Sequence, residues 1–195
     1  MDDNELIERY LSGDEKAFEK LYNRYKASVF SFILSMINDK EKANDIFQEV
    51  FITVIDNIKR YQKKNFKAWI FLIARNKVLD YIRSKKNKFE TNILSIDKER
   101  DDENKYSYLD IIKEDSDPQK ELIKKLEKEK LYKAIEKLPP HYKEIIFLKH
   151  FSGLKFKEIS AILSTPLNTL LSRFTRGIEM LQRILTTQNQ DDPFN

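Results

Sequence analysis

Cations and aromatic rings alternate in the segment IKRYQKKNFK, residues 58–67. Its five cations are Lys59, Arg60, Lys63, Lys64 and Lys67, and its two aromatic residues are Tyr61 and Phe66. Cations can follow a phosphate backbone while rings stack on unpaired bases, so this composition is typical of single-stranded nucleic-acid binding. The alternative is that the rings are core residues and the lysines only solvate a loop. For Trp69, just beyond this segment, we favour the core.

The segment FKAWIFLIARNKVLDYIR, residues 66–83, has the spacing of a helix with two different faces. We expect one face to pack inward and the other to stay polar. The side-chain amide of Asn76 on the polar face can read the edge of a base that has left the stack. The inward face carries Phe71, Ala74, Val78 and Ile82, and the opposite face carries Trp69, Ile73, Asn76, Asp80 and Arg83.

A helix–turn–helix pattern occupies LKFKEISAILSTPLNTLLSRFTRGIEML, residues 154–181. Ile159 and Ile162 supply apolar contacts of the first helix, Ser160 is small where the helices would cross, and residues 164–166 form the turn. The second helix has an apolar stripe of Leu170, Phe174, Ile178 and Leu181. Its free side carries hydroxyls and arginines suited to phosphates and base edges: Thr169, Ser172, Arg173, Thr175 and Arg176. An ordinary antiparallel helix pair with a solvated face is the alternative.

Charge is unevenly distributed along the 195 residues, although the net charge is only +4. From Lys59 to Lys88 there are eleven Lys and Arg against one acid, Asp80, whereas nine acids face four bases from Asp97 to Asp117. The basic block indicates a polyanionic partner. The acidic block is interpreted as a linker that avoids the same partner.

Few residues could support catalysis or metal binding. The chain has no Cys, three Gly and two His, and His141 and His150 are not at the i, i+4 spacing of a helical metal pair. We therefore expect no enzyme, no metal, no cofactor and no small-molecule substrate. The charged N-terminus lacks an apolar signal core, and no apolar run approaches the roughly 20 residues that cross a bilayer, so we expect a cytoplasmic protein.

The scarcity of Gly and Pro and the long runs of Lys, Glu, Leu and Ile predict an all-α fold. We expect two small helical domains joined by a flexible acidic linker, the second being a helix–turn–helix domain. The predicted boundaries are residues 1–90, a linker over 91–120, residues 121–187, and a polar tail over 188–195.

Four motifs in order resemble the extracytoplasmic-function sigma factors, the compact branch of the bacterial sigma family, over nearly the whole chain. GDEKAFEKLYNRY is similar to the opening segment of that family, and ANDIFQEVFITVIDNI is similar to its polymerase-binding helix. FKAWIFLIARNKVLDYIR is similar to the segment that opens promoter DNA. AIEKLPPHYKEIIFLKHFSGLKFKEISAIL leads into the helix–turn–helix as in the second domain of the family.

The resemblance implies an alternative sigma factor whose first domain docks on the β′ clamp helices of core RNA polymerase and melts the minus-ten promoter element. It implies that the second domain binds the minus-thirty-five element near the β flap, and that an anti-sigma factor is a candidate partner. The polymerase-binding residues would be Asp45, Gln48, Glu49 and Phe51. The minus-ten residues would be Tyr61, Lys63, Lys64, Asn76 and Arg83, and the minus-thirty-five residues would be Thr169, Ser172, Arg173 and Arg176.

Two residues depart from the family pattern. Asn168 stands where a Gly is usual, and Leu171 stands where a cation is expected. Leu171 would contact a thymine methyl group or turn inward, so the promoter preference of the family does not transfer.

Three other classes of function compete with this interpretation. An autonomous helix–turn–helix regulator would have no use for DIFQEVF or the aromatic–basic segment. A protein-binding adaptor would leave the basic block unexplained, and a nuclease would need clustered acids or histidines.

Overall fold

The computed structural model describes residues 1–62, 65–91 and 130–190. The chain divides into two compact units, Met1–Tyr106 and Ser107–Asn195. All regular structure among the described residues is helical, in agreement with the predicted fold class. The predicted acidic linker lies outside the described residues except for Thr91, and Lys63 and Lys64 lie outside them as well.

The first unit contains four α-helices, α1 (Asp3–Leu11), α2 (Glu15–Ile37), α3 (Lys40–Asn57) and α4 (Phe66–Thr91), with a 3₁₀ turn at Ile58–Arg60. These helices match the four segments expected from the sequence.

Local signals set the boundaries of these helices. Asp2 and Glu5 form a reciprocal capping box at the start of α1, with both N–H to carboxylate distances at 2.8 Å. Gly13, at φ 101°, follows the end of α1 in a conformation that favours glycine. Asp39 caps α3 by accepting the backbone N–H of Lys42 at 3.1 Å.

The core of the first unit lies between α2 and α4, with α1 and α3 packed against them. The rings of Phe32 and Phe71 meet edge to face, with centroids 5.8 Å apart, and both are almost fully buried. Val29, Val50 and Ala74 are also buried. Aromatic side chains of this size contribute much of the burial energy of a small domain.

The predicted inward face of α4 is only partly correct. Phe71, Ala74 and Val78 are buried, but Ile82 is 40% exposed. The side chains of α4 are described as far as Lys85, and none of those after Val78 is buried. The turn that carries Ile82 therefore lies outside the core.

The second unit contains a helical segment at residues 130–136 (α5), then α6 (Pro140–Ile146), a π-helical turn at Phe147–Phe151, α7 (Phe156–Leu163) and α8 (Leu167–Gln190). The rings of Tyr132, Phe147 and Phe151 stack in its core. Gly177 lets α8 approach α6 closely, since a Cβ atom there would lie 3.2 Å from Tyr142 Cβ.

Candidate nucleic-acid interface

A cluster of three rings forms where the 3₁₀ turn leads into α4. The ring centroids of Tyr61 and Trp69 are 5.1 Å apart, those of Phe66 and Trp69 are 5.7 Å apart, and those of Tyr61 and Phe66 are 5.8 Å apart. Phe66 is buried against Tyr25 of α2, whereas Tyr61 and Trp69 remain partly exposed. Phe66 thus forms the buried side of the cluster. The rings of Tyr61 and Trp69 offer apolar area on which a base could stack. Trp69, which we expected in the core, is therefore only partly buried.

The hydroxyl of Tyr61 is buried and, among the described residues, has no hydrogen-bond partner. Burial, reinforced by the negative charge of Asp3, raises the pKa of Tyr61 to about 12. The Asp3 carboxylate itself accepts hydrogen bonds from Tyr25 and Arg24 of α2, which fixes α1 beside the cluster. Tyr61 is neutral at physiological pH, as an ordinary tyrosine is, and its raised pKa keeps it neutral further into the alkaline range.

Asn76 and Arg83 lie on the exposed side of α4. Asn76 is about 10 Å along the helix axis from Trp69, so the amide and the ring cluster occupy one side of the same rigid element. Arg83 Nη1 is 4.0 Å from Asp80 Oδ1, and both side chains are largely exposed, so this pair restrains the guanidinium weakly. The polar ridge predicted from the sequence is present.

The exposed face of α3 carries Asp45, Gln48 and Glu49. Asp45 pairs with Lys42 at 3.1 Å on the same helix, and Glu49 pairs with Lys77 of α4 at 3.1 Å. Ile52 and Ile55, which lie outside the predicted polymerase-binding set, are also exposed and continue this face. Their spacing of three on an amphipathic helix was a signal that could have identified them.

Phe51, one of the residues predicted to bind polymerase, lies in the core of the first unit. It is only 7% exposed, and its ring lies 4.8 Å from Tyr22 and 5.0 Å from Phe47. An aromatic side chain at this position is drawn into the core by the apolar area it removes from water. Phe51 thus packs α3 against α2, and its contact with polymerase stays a prediction.

The helix–turn–helix has the expected geometry. Ile159, Ile162 and Leu170 are buried, and the Ser160 hydroxyl donates to the carbonyl of Thr165 at 2.6 Å, which holds the turn. Ser164 adopts a left-handed conformation at φ 48° and ends α7.

The outer face of α8 is exposed along its first half, at Thr169, Ser172, Arg173, Thr175 and Arg176. The Thr175 hydroxyl donates to the Leu171 carbonyl at 3.2 Å. Leu171 is itself exposed, so it does not turn into the core.

In the described parts of the chain, no three His, Cys, Asp or Glu side chains gather in a way that could hold a metal ion. No described helix is both long and apolar enough to span a membrane.

Comparison with known proteins defines the class. A family model for sigma-70 region 2 matches residues 21–88, and one for sigma-70 region 4 matches residues 128–181. The two regions, in this order, are those of a sigma factor of the sigma-70 class.

Individual relatives show which branch of the sigma-70 class the chain belongs to. The ECF RNA polymerase sigma factor SigW of Bacillus subtilis is 30% identical over 181 residues, which cover 92% of this chain and 94% of SigW. The ECF RNA polymerase sigma factor BldN of Streptomyces coelicolor is 26% identical over 183 residues, but the chain covers 65% of its length. The chain belongs to the extracytoplasmic-function (ECF) RNA polymerase sigma factors. It directs promoter-specific transcription initiation with RNA polymerase, and its family is not catalytic. The match to region 2 disfavours the alternative of an autonomous helix–turn–helix regulator.

A solved structure has a similar fold. It is the sigma factor RpoE in complex with the anti-sigma factor NepR from Bartonella quintana, with a TM-score of 0.65 and 21% identity over 88% of this chain and 98% of that one.

Proposed function

We propose that the exposed face of α3 docks on the β′ clamp helices of core RNA polymerase, and that the first unit then melts the minus-ten element. Unpairing costs a few kcal/mol per base, so a protein that opens DNA must hold the exposed bases. The observation that carries this proposal is the partly exposed ring cluster of Tyr61 and Trp69 on one side of a helix that also presents Asn76. One exposed base can stack on the rings while the amide reads the edge of another base farther along α4.

The second unit binds the minus-thirty-five element as duplex DNA, close to the β flap. Its exposed α8 face has short hydroxyls and two guanidinium groups, a set that suits phosphates and base edges in the major groove. Leu171 is exposed on this helix and offers an apolar contact, such as a thymine methyl group.

The proposal places the chain in the cytoplasm, with promoter DNA and the polymerase. It also includes an anti-sigma partner, because the similar sigma factor from Bartonella quintana was solved with one.

Asn76→Ala should slow promoter opening by about tenfold, since a hydrogen-bonded amide that reads a base is worth on the order of 1–3 kcal/mol. Permanganate reactivity of the minus-ten region in reconstituted holoenzyme measures opening, and competition for fluorescent core enzyme measures polymerase affinity. Affinity should be unchanged. Asn23→Ala, at an exposed site on α2, is the matched control. Equal losses of opening and of polymerase affinity would exclude the base-reading role.

Arg176→Ala should weaken duplex binding about three- to tenfold and lower the slope of log affinity against log salt by about 0.9, because one phosphate contact is lost. Fluorescence anisotropy with a promoter duplex from 50 to 200 mM salt measures both quantities. Lys133→Ala removes the same charge from an exposed site on α5 and should leave the slope unchanged. A slope in Arg176→Ala equal to that of the unmodified chain would rule out the phosphate contact.

A further inference from the structure

An ion pair joins the helix proposed to bind polymerase to the helix proposed to open DNA. Lys77 Nζ of α4 lies 3.1 Å from Glu49 Oε2 of α3, and both side chains are partly exposed. Glu49 belongs to the exposed α3 face, and Lys77 follows Asn76 directly. This ion pair therefore joins a residue of the exposed α3 face to a residue next to Asn76 on α4.

The pair lies in a groove between the two helices, lined by Asp45, Glu49, Lys77 and Asp80 and by Lys42 at its edge. In this groove Lys42 is already paired with Asp45, and Asp80 faces Arg83. The Glu49 carboxylate thus lies against the Lys77 ammonium, and its charge reduces the positive potential that Lys77 presents to DNA.

We propose that Lys77 is a DNA-contacting residue that Glu49 holds in the free chain, and that docking on the polymerase releases it. This inference rests on the proposed docking of the α3 face. A partner that fits an acidic face is itself basic, and such a partner competes with Lys77 for the Glu49 carboxylate. If Lys77 stayed on Glu49, it would lie against the positive charge of the docking partner in an interface from which water is excluded. That repulsion disfavours the Lys77–Glu49 pair in the docked state.

The exchange needs little energy. Ion pairs between partly exposed side chains contribute weakly to stability, so a new basic neighbour can displace Lys77 without unfolding the unit. The lysine side chain has a flexible four-carbon stem, so its ammonium can swing toward the side of α4 that carries Asn76. Docking on polymerase would thereby add the Lys77 cation to the side of α4 that carries Asn76. In the free chain this cation would stay paired with Glu49.

The first test uses the full chain without polymerase and a 12-nucleotide single-stranded DNA with a fluorescent label. Glu49→Gln should tighten binding about two- to fivefold at 50 mM salt and steepen the salt slope by about 0.7, because Lys77 becomes available to a phosphate. Glu19→Gln is the matched control, since it makes the same substitution at an exposed site on α2, outside the groove, and leaves the Lys77–Glu49 pair intact. It should leave the slope unchanged.

Combining the substitutions completes this test. In a Lys77→Gln background, Glu49→Gln should have no larger effect than Glu19→Gln. The proposal is overturned if Glu49→Gln and Glu19→Gln behave alike, if the Glu49→Gln effect persists without Lys77, or if the Glu49→Gln chain shows no measurable binding. None of these outcomes depends on polymerase, so each is separate from failure of the proposed docking.

The second test uses core polymerase and looks for effects of opposite sign. Lys77→Gln should raise affinity for core enzyme about two- to fivefold, because no pair must be broken on docking, and should lower promoter opening by a similar factor. A lysine that only braces α3 against α4 would lower both quantities when replaced. A parallel loss of affinity and opening would therefore overturn the proposal.

Discussion

Phe71→Ala is expected to lower the free energy of unfolding of the first unit by about 3–5 kcal/mol, the range for removing a buried phenyl ring. Phe71 is 1% exposed and meets Phe32 edge to face across the α2–α4 interface, so its loss leaves a cavity lined by apolar groups. Small domains are stable by only about 5–15 kcal/mol, so this loss removes a large fraction of the stability of the first unit. Promoter opening should fall in proportion to the fraction of the chain that unfolds.

Trp69 is the single tryptophan of the chain, so its fluorescence during urea unfolding reports on the first unit alone. Leu72→Ala is the matched control, because Leu72 is the next residue on the same helix and is 37% exposed. Its cost should stay under about 1 kcal/mol. Similar losses at the two positions would show that the core does not lie where α4 meets α2.

Reversing charge on the α3 face should have the largest effect on polymerase binding. Asp45→Lys and Glu49→Lys should each reduce affinity for core enzyme about 10- to 100-fold, since a like charge placed against a basic partner costs several kcal/mol. Both carboxylates are more than half exposed, so neither reversal should unfold the unit. Competition against labelled wild-type chain for core enzyme measures the loss.

Glu19→Lys makes the same charge change at an exposed site on α2 and controls for net charge. It should alter affinity less than about threefold at 150 mM salt, where exposed charges are strongly screened. If Glu19→Lys lowered the affinity for core enzyme as much as the α3 variants do, net charge would govern binding. If Asp45→Lys and Glu49→Lys both kept the wild-type affinity, the α3 face would be excluded from the polymerase interface.

Much of the fold could be predicted from the sequence because local signals and apolar periodicity agree. The Asp2 and Asp39 caps and the apolar stripe of α8 each place a helix boundary or a buried face without reference to the rest of the chain. The helix–turn–helix was predictable for the same reason, since Ile159, Ile162 and Leu170 are all buried.

Other features depend on which helices are neighbours, and periodicity carries no such information. Ile82 has the spacing of a core residue, yet the turn of α4 that carries it lies outside the core. Phe51 lies within a surface motif, but Tyr22 of α2 and Phe47 enclose its ring. The Lys77–Glu49 pair joins residues 28 positions apart and follows only from the packing of α3 against α4.

The most direct test of the account is transcription by core RNA polymerase from a pool of genomic promoter fragments, with and without this chain, with every start site mapped by sequencing. We expect a set of start sites that occurs only with the chain present and shares a two-part sequence upstream. That set should disappear with Asp45→Lys and shrink with Asn76→Ala. Identical start sites in the presence and absence of the chain would contradict the claim that it directs initiation.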